Sequence, residues 1–147
     1  MSEKTTYMTE FDIDRLETFL EAAMKSYRFD RNVLQSLREE IEQSRLVNSR
    51  QIPPDVVTIN SRIRLRDLDA DQEMILTLVL PGAANFTEGR LSVASPIGTA
   101  ILGYAAGDTI AWNVPSGTKR IRIEEILYQP EAAGDYVGFV KKQMSEL

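Results

Sequence analysis

Ser26-Tyr27-Arg28-Phe29-Asp30-Arg31 is the stretch that decides how the first third of this 147-residue chain folds. On its N-terminal side Ile13, Leu16, Leu20, Ala23 and Tyr27 recur at alternating spacings of three and four, the apolar seam of a helix. On its C-terminal side a second seam runs through Leu34, Leu37 and Ile41, with Leu46 near its end, and no Gly or Pro stands between Thr9 and Ile52. The stretch itself is a row of poor helix formers, and its Asp30 falls on the seam. Read as a turn, it folds helices over about 9–25 and 31–47 into an antiparallel hairpin, a short coiled coil with arms of roughly 25 Å. Read as helix, it continues the spacing in phase from Tyr27 to Leu34 and makes one long rod, a dimerising structural module. The composition of the stretch favours the hairpin. Thr9 with Asp12 three residues on forms a candidate capping box, and Asn32 with Gln35, or Asp30 itself, starts the second helix.

Pro53-Pro54 ends the helical part, and the remainder reads as strand and turn. Val56-Val57-Thr58-Ile59 is a β-branched run. Ile63 and Leu65 alternate with Arg62, Arg64 and Arg66, a half-buried strand whose arginines pair with the nearby Asp67 and Asp69. Met74 to Leu80 is nearly all apolar, which predicts a central strand covered on both faces. Ser95-Pro96-Ile97-Gly98-Thr99-Ala100-Ile101-Leu102-Gly103 predicts one short helix, with Ser95 as N-cap, Pro96 in the first turn and Gly103 as the stop. Gly107-Asp108 turns into a strand at 109–114, Pro115-Ser116-Gly117 is a hairpin turn, and the returning strand slips phase at Glu124-Glu125, the mark of a bulge. Residues 129–147 read as loop with a frayed helix end. The fold class is α+β: a helical hairpin over residues 1–50 and a β-rich domain with one short helix over 51–147.

Composition narrows the chemistry. The chain has no Cys and no His. Disulfides, Cys/His zinc sites, Ser-His or Cys-His nucleophile pairs and imidazole acid–base steps are excluded, and the expectation is a protein that is not an enzyme and uses no cofactor. The formal net charge is -5, with 8 basic and 10 acidic residues in 1–50 and 9 and 12 in 51–147. Neither half carries the positive field that phosphate contacts need, so a protein with basic surfaces is the expected partner, rather than free nucleic acid. No stretch of about 18 apolar residues spans a membrane and no signal segment opens the chain, which points to the cytoplasm.

Three stretches carry a family likeness: Val57-Thr58-Ile59-Asn60-Ser61-Arg62-Ile63, then Ser95 to Gly103, then Gly107-Asp108. Over about 53–137 the chain resembles the C-terminal domain of the Gre transcript-cleavage factors. Tyr128-Gln129-Pro130-Glu131-Ala132-Ala133-Gly134-Asp135-Tyr136 is similar to the nucleoside diphosphate kinase regulator branch of that superfamily. The resemblance implies an FKBP-like C-terminal domain and an antiparallel N-terminal coiled coil. It implies a monomer that docks on the rim of the RNA polymerase secondary channel, against the β′ subunit, with the hairpin aimed at the catalytic magnesium. It places the docking contact at Ala94, Ser95, Pro96, Ile97 and Gly98. Gre factors commonly carry an acidic residue just before the Ser-Pro pair, where this chain has Ala94.

The Gre factors stimulate RNA cleavage with acidic residues at the hairpin tip, because a second magnesium needs a close pair of hard oxygen ligands. Here the tip, Tyr27, Arg28, Phe29, Asp30 and Arg31, holds one carboxylate between two arginines. The expected function is therefore a regulator that competes with cleavage factors without stimulating cleavage. Asp30 is expected as a helix cap, and Tyr27 and Phe29 either close the hairpin core or touch the partner. Gly98 inside a helix implies close packing against the sheet. Glu124 and Glu125 lack a base or nucleophile near them in sequence. Tyr104, Trp112, Tyr128 and Tyr136 are candidates to line an FKBP-like cleft, which would make peptidyl-prolyl isomerase activity the alternative.

Overall fold

The seam residues turn back on each other, so the rod is excluded. In the computed structural model, which describes residues 5–135, α1 spans Glu10–Ala23 and α2 spans Arg31–Gln43. Leu16, Leu20, Ala23, Leu34 and Leu37 are buried in one cluster. Thr9 Oγ1 accepts from the Asp12 amide at 3.1 Å, and Asp30 Oδ1 accepts from the Asn32 amide at 2.7 Å, so the caps are Thr9 and Asp30. Two seam positions depart from expectation. Tyr27 is 96% exposed, because the turn lifts it off the helix axis, and Leu46 is 54% exposed.

Leu46 lies in a strand, not in the second helix. The helix ends at Gln43, and β2 (Arg45–Val47) pairs in parallel with β1 (Tyr7–Thr9). The amide of Tyr7 donates in turn to the Gly103 carbonyl at 3.2 Å. This small ribbon stitches the base of the helix pair to the β-rich part. Gly103 permits it: its φ is +85°, and a Cβ there would stand 3.2 Å from the Thr6 Cβ and the Tyr7 carbonyl.

The main sheet has the order β5-β4-β3-β7-β6, where β3 is Arg62–Asp67, β4 Gln72–Val79, β5 Arg90–Ser92, β6 Thr109–Val114 and β7 Gly117–Tyr128. Ile63 and Leu65 point into the core beside Leu76, Leu78, Ile121 and Ile123. The expected bulge is present: Arg64 faces Glu125 and Leu65 faces Ile123, leaving Glu124 extra, and a second slip leaves Leu127 extra. β4 is not covered on both faces. Ile75 is 44% exposed, so among the described residues the outer face is open there, whereas Val79 further along the same face is buried.

The Val56–Ile59 run is not a strand either, although Val56, Val57, Thr58 and Ile59 are all buried. Its backbone groups go to unlike partners. Val57 donates to the Tyr104 carbonyl at 2.8 Å, Thr58 to Ser61 Oγ at 2.9 Å and Ile59 to Asp12 Oδ2 at 3.0 Å. The β-branched residues serve here as buried filling, not as a ladder.

The helix pair lies along the β-rich part. Asn32, Val33, Ser36 and Glu40 of α2 share a groove with Pro96, Thr99 and Ala100 of α3 (Pro96–Ile101) and with Ile110 and Ala111 of β6. At the turn, Phe19, Arg28 and Phe29 share a second hollow with Pro81 and Gly82. A last short helix, α4 (Pro130–Ala133), closes the described residues. Tyr136, the rest of the expected tail through 147, and the Trp112 side chain lie outside the described part.

Candidate functional site

The five residues from Ala94 to Gly98 form one tight turn into α3. Ala94 donates its amide to Ser92 Oγ at 2.9 Å, and Ser95 Oγ donates to the Ser92 carbonyl at 2.7 Å while accepting the Gly98 amide at 3.0 Å. Thr99 donates its hydroxyl to the Val93 carbonyl at 2.6 Å. Gly98 is buried, and a Cβ on it would collide with the Ser92 carbonyl, so close approach of helix to strand explains the glycine. The five residues do not present alike. Pro96 is exposed; Ala94, Ser95 and Ile97 are half-buried. Pro96 has no amide and Gly98 has given its own to the cap, so the turn offers mainly an apolar ridge centred on Pro96.

Behind that ridge runs the groove between α2 and α3, a hollow of about 400 Å³. Its upper residues are Val33, Ala100, Ile110 and Tyr104, with Glu40 on the α2 side. Burial pushes the Tyr104 phenol up, and the charges of Glu40 and Asp108 push the same way. Burial also raises the Glu40 carboxyl, the Gln43 hydrogen bond lowers it, and the Glu39 charge raises it. Tyr128, the other described aromatic proposed for a cleft, donates its hydroxyl to Asp135 at 2.7 Å.

The tip at Tyr27, Arg28, Phe29, Asp30 and Arg31 splits its roles. Phe29 closes the hairpin core edge-on to Phe19, with centroids 5.0 Å apart. Tyr27 does not; it stands in solvent with the Arg31 guanidinium 6.0 Å from its ring. Arg28 donates its amide to Ser26 Oγ. Asp30 is engaged as the α2 cap. Among the described residues no cluster of three or more carboxylates could hold a metal ion.

Glu124 and Glu125 are held by arginines. Arg66 and Arg122 reach Glu124 at 2.6 and 2.9 Å, and Arg64 bridges Glu125 at 2.8 Å and Glu73 at 3.1 Å. Arg122 and Arg66 pull the Glu124 carboxyl down to about 2. Of the strand arginines, Arg64 thus pairs with Glu73 and Glu125 and Arg66 with Glu124 and Asp71, while Asp67 and Asp69 take Lys119 and Arg120.

One polar junction carries no motif in the sequence. Asp12 is buried; its Oδ1 accepts from Arg15 at 2.8 Å and its Oδ2 from the Ile59 amide. Nearby, Thr58 donates its hydroxyl to the buried Glu131 at 2.8 Å. Burial pushes both carboxyls up, in Glu131 assisted by the Asp12 charge. Asp12 looked like a capping-box partner; in fact it joins α1 to the irregular segment before β3. Its position on the buried stripe with Leu16 was the available signal.

The family described as "Transcription elongation factor, GreA/GreB, C-term" matches residues 52–128. A solved structure, a prokaryotic transcription elongation factor GreA/GreB from Nitrosomonas europaea, superposes with a TM-score of 0.68 at 35% identity, covering 86% of this chain and all of that one. The chain belongs to the GreA/GreB transcription elongation factor family. The "Regulator of nucleoside diphosphate kinase" of Escherichia coli (strain K12) is 34% identical over 138 residues, 93% of this chain and 99% of that protein. The transcription elongation factor GreA of Syntrophomonas wolfei is 32% identical over 91 residues, 62% of this chain and 57% of that one. Among the described residues no helix is long and apolar enough to cross a membrane.

Proposed function

We propose that the chain is a non-catalytic, monomeric cytoplasmic regulator that binds RNA polymerase at the rim of the secondary channel, against the β′ subunit. It competes there with Gre cleavage factors and does not stimulate cleavage. In this reading residues 51–147 are an FKBP-like docking body that presents Ala94, Ser95, Pro96, Ile97 and Gly98, and residues 1–50 are the arm. Pro96 is the outer contact, and the buried Gly98 sets the turn that holds it out. The observation that carries the reading is at the tip: its one carboxylate, Asp30, is engaged in capping α2, 2.7 Å from the Asn32 amide. Lys25, Arg28 and Arg31 flank it in sequence, the Arg31 guanidinium lies by Met24 and the Tyr27 ring, and among the described residues none of the three forms an ion pair with a carboxylate. Such a tip repels a divalent cation, so the arm occupies a channel without supplying a second metal site.

Titration of the purified chain against core RNA polymerase tests this. The expected result is micromolar or tighter binding, weakened by Pro96→Ala, with Gre-stimulated cleavage falling as the chain is added in excess. No binding at micromolar concentration, or cleavage unchanged under excess, sinks the reading. Light scattering of the free chain should give a monomer mass. A proline-peptide isomerisation assay should give the background rate.

A further inference from the structure

Glu40 lacks the guanidinium partners that the carboxylates of the outer sheet face have. On the outer sheet face, Glu124 has two guanidinium partners and Glu73 and Glu125 share Arg64. Glu40 is half-buried in the groove between α2 and α3, and its hydrogen-bond donor is neutral: Gln43 Nε2 at 3.0 Å. Among the described residues no Lys or Arg forms an ion pair with it. Drawing a carboxylate partway out of water without a counter-ion is unfavourable, and adjacent Glu39 adds like charge. The Tyr104 hydroxyl shares the groove and feels the Glu40 charge. Val33, Ala100, Ile110 and Ala111 give the groove an apolar strip beside the polar Asn32, Ser36 and Thr99, and Pro96 stands on the wall.

We propose that this groove binds a basic side chain of a partner polypeptide, an arginine beside an apolar residue, with Glu40 as its counter-ion. The apolar lining takes the aliphatic stem, and the planar guanidinium spans the free carboxylate oxygen and the Tyr104 hydroxyl. A phosphate is repelled by Glu40, and a lone carboxylate is too few ligands for a metal. The inference rests on the reading of Pro96 as the polymerase contact, because the groove shares that residue and a partner seated there passes over Glu40.

Glu40→Gln, with Glu39→Gln as the neighbouring control, separates a binding role from a structural one. Wild type and variants are titrated against core RNA polymerase and melted in parallel. Glu40→Gln should bind about 5- to 30-fold more weakly, as expected for loss of a partly buried charge pair, while its Tm stays equal or rises by about 1–3 °C. Glu39→Gln should match wild type in binding. Unchanged binding of Glu40→Gln while Pro96→Ala weakens it overturns this inference and leaves the docking reading intact. Binding and Tm falling together in Glu40→Gln also overturn it. Should the wild type not bind polymerase, the docking reading fails, and acetyl-Arg-Leu-amide then probes the groove alone. Saturable NMR shifts of the Val33, Ala100 and Ile110 methyls, lost in Glu40→Gln, support the groove; their absence overturns it.

Discussion

At Gly98 and Asp12 a single atom or proton decides whether two elements can meet. Gly98 lets α3 approach the Ser92 carbonyl so closely that no β-carbon fits. Gly98→Ala should destabilise the chain by about 1–3 kcal/mol, since the obstacle is backbone and cannot swing away. Urea denaturation measures this; an unchanged midpoint would contradict the packing. Asp12 has its two oxygens on Ile59 and Arg15. Asp12→Ala leaves that amide and guanidinium without their acceptor and should lower stability by about 3 kcal/mol, while Asp12→Asn, which still accepts from Ile59, loses clearly less. The sequence showed the Gly98 requirement, because a glycine inside a capped helix has few other reasons. It hid the Asp12 role, because Asp12 and Ile59 are 47 residues apart and meet only in the fold.

Elements were legible where a period or a cap announced them. The two helices, the Ser95 cap, the alternating β3 and the bulge at Glu124 all follow from side-chain rhythm or turn chemistry. β1, β2 and β5 are three residues each, too short for any period to register, and their partners are set by tertiary contacts. Val56 to Ile59 had the composition of a strand, but two of their amides bond to the carbonyls of Pro53 and Tyr104 and two to side chains. The candidate site divides in the same way. Pro96 and Asp30 were visible as local motifs, whereas the groove needs α2 laid against α3. One prediction belongs at this scale. Asp30→Ala removes the α2 cap and should lower stability by about 1 kcal/mol by thermal melt. On the proposed reading it leaves competition with cleavage factors intact, because Asp30 holds a helix and not a metal.

Across the whole molecule, two sets of carboxylates pull the pH dependence in opposite directions. Glu124, held at about 2 by its arginines, stabilises the fold fully above its ordinary value near 4.5, and that contribution is lost as the pH falls toward 2. Asp12 and Glu131 are raised by burial, so the folded chain holds their protons more tightly than the unfolded one. Their contribution declines as the pH rises through and above the ordinary carboxylate range. In a series of Tm against pH, Glu124→Gln should flatten the acid side, and Asp12→Asn should flatten the decline above it. A further consequence lies in the ribbon of β1 and β2. It knots the first strand and the return from the helices to the same point beside Gly103, and the helices share one cluster of buried side chains with the sheet. The paired helices therefore have no hinge of their own. Whatever angle they present to a partner is chosen when the chain folds, and a ligand that needed them to swing would have to melt the domain to get it.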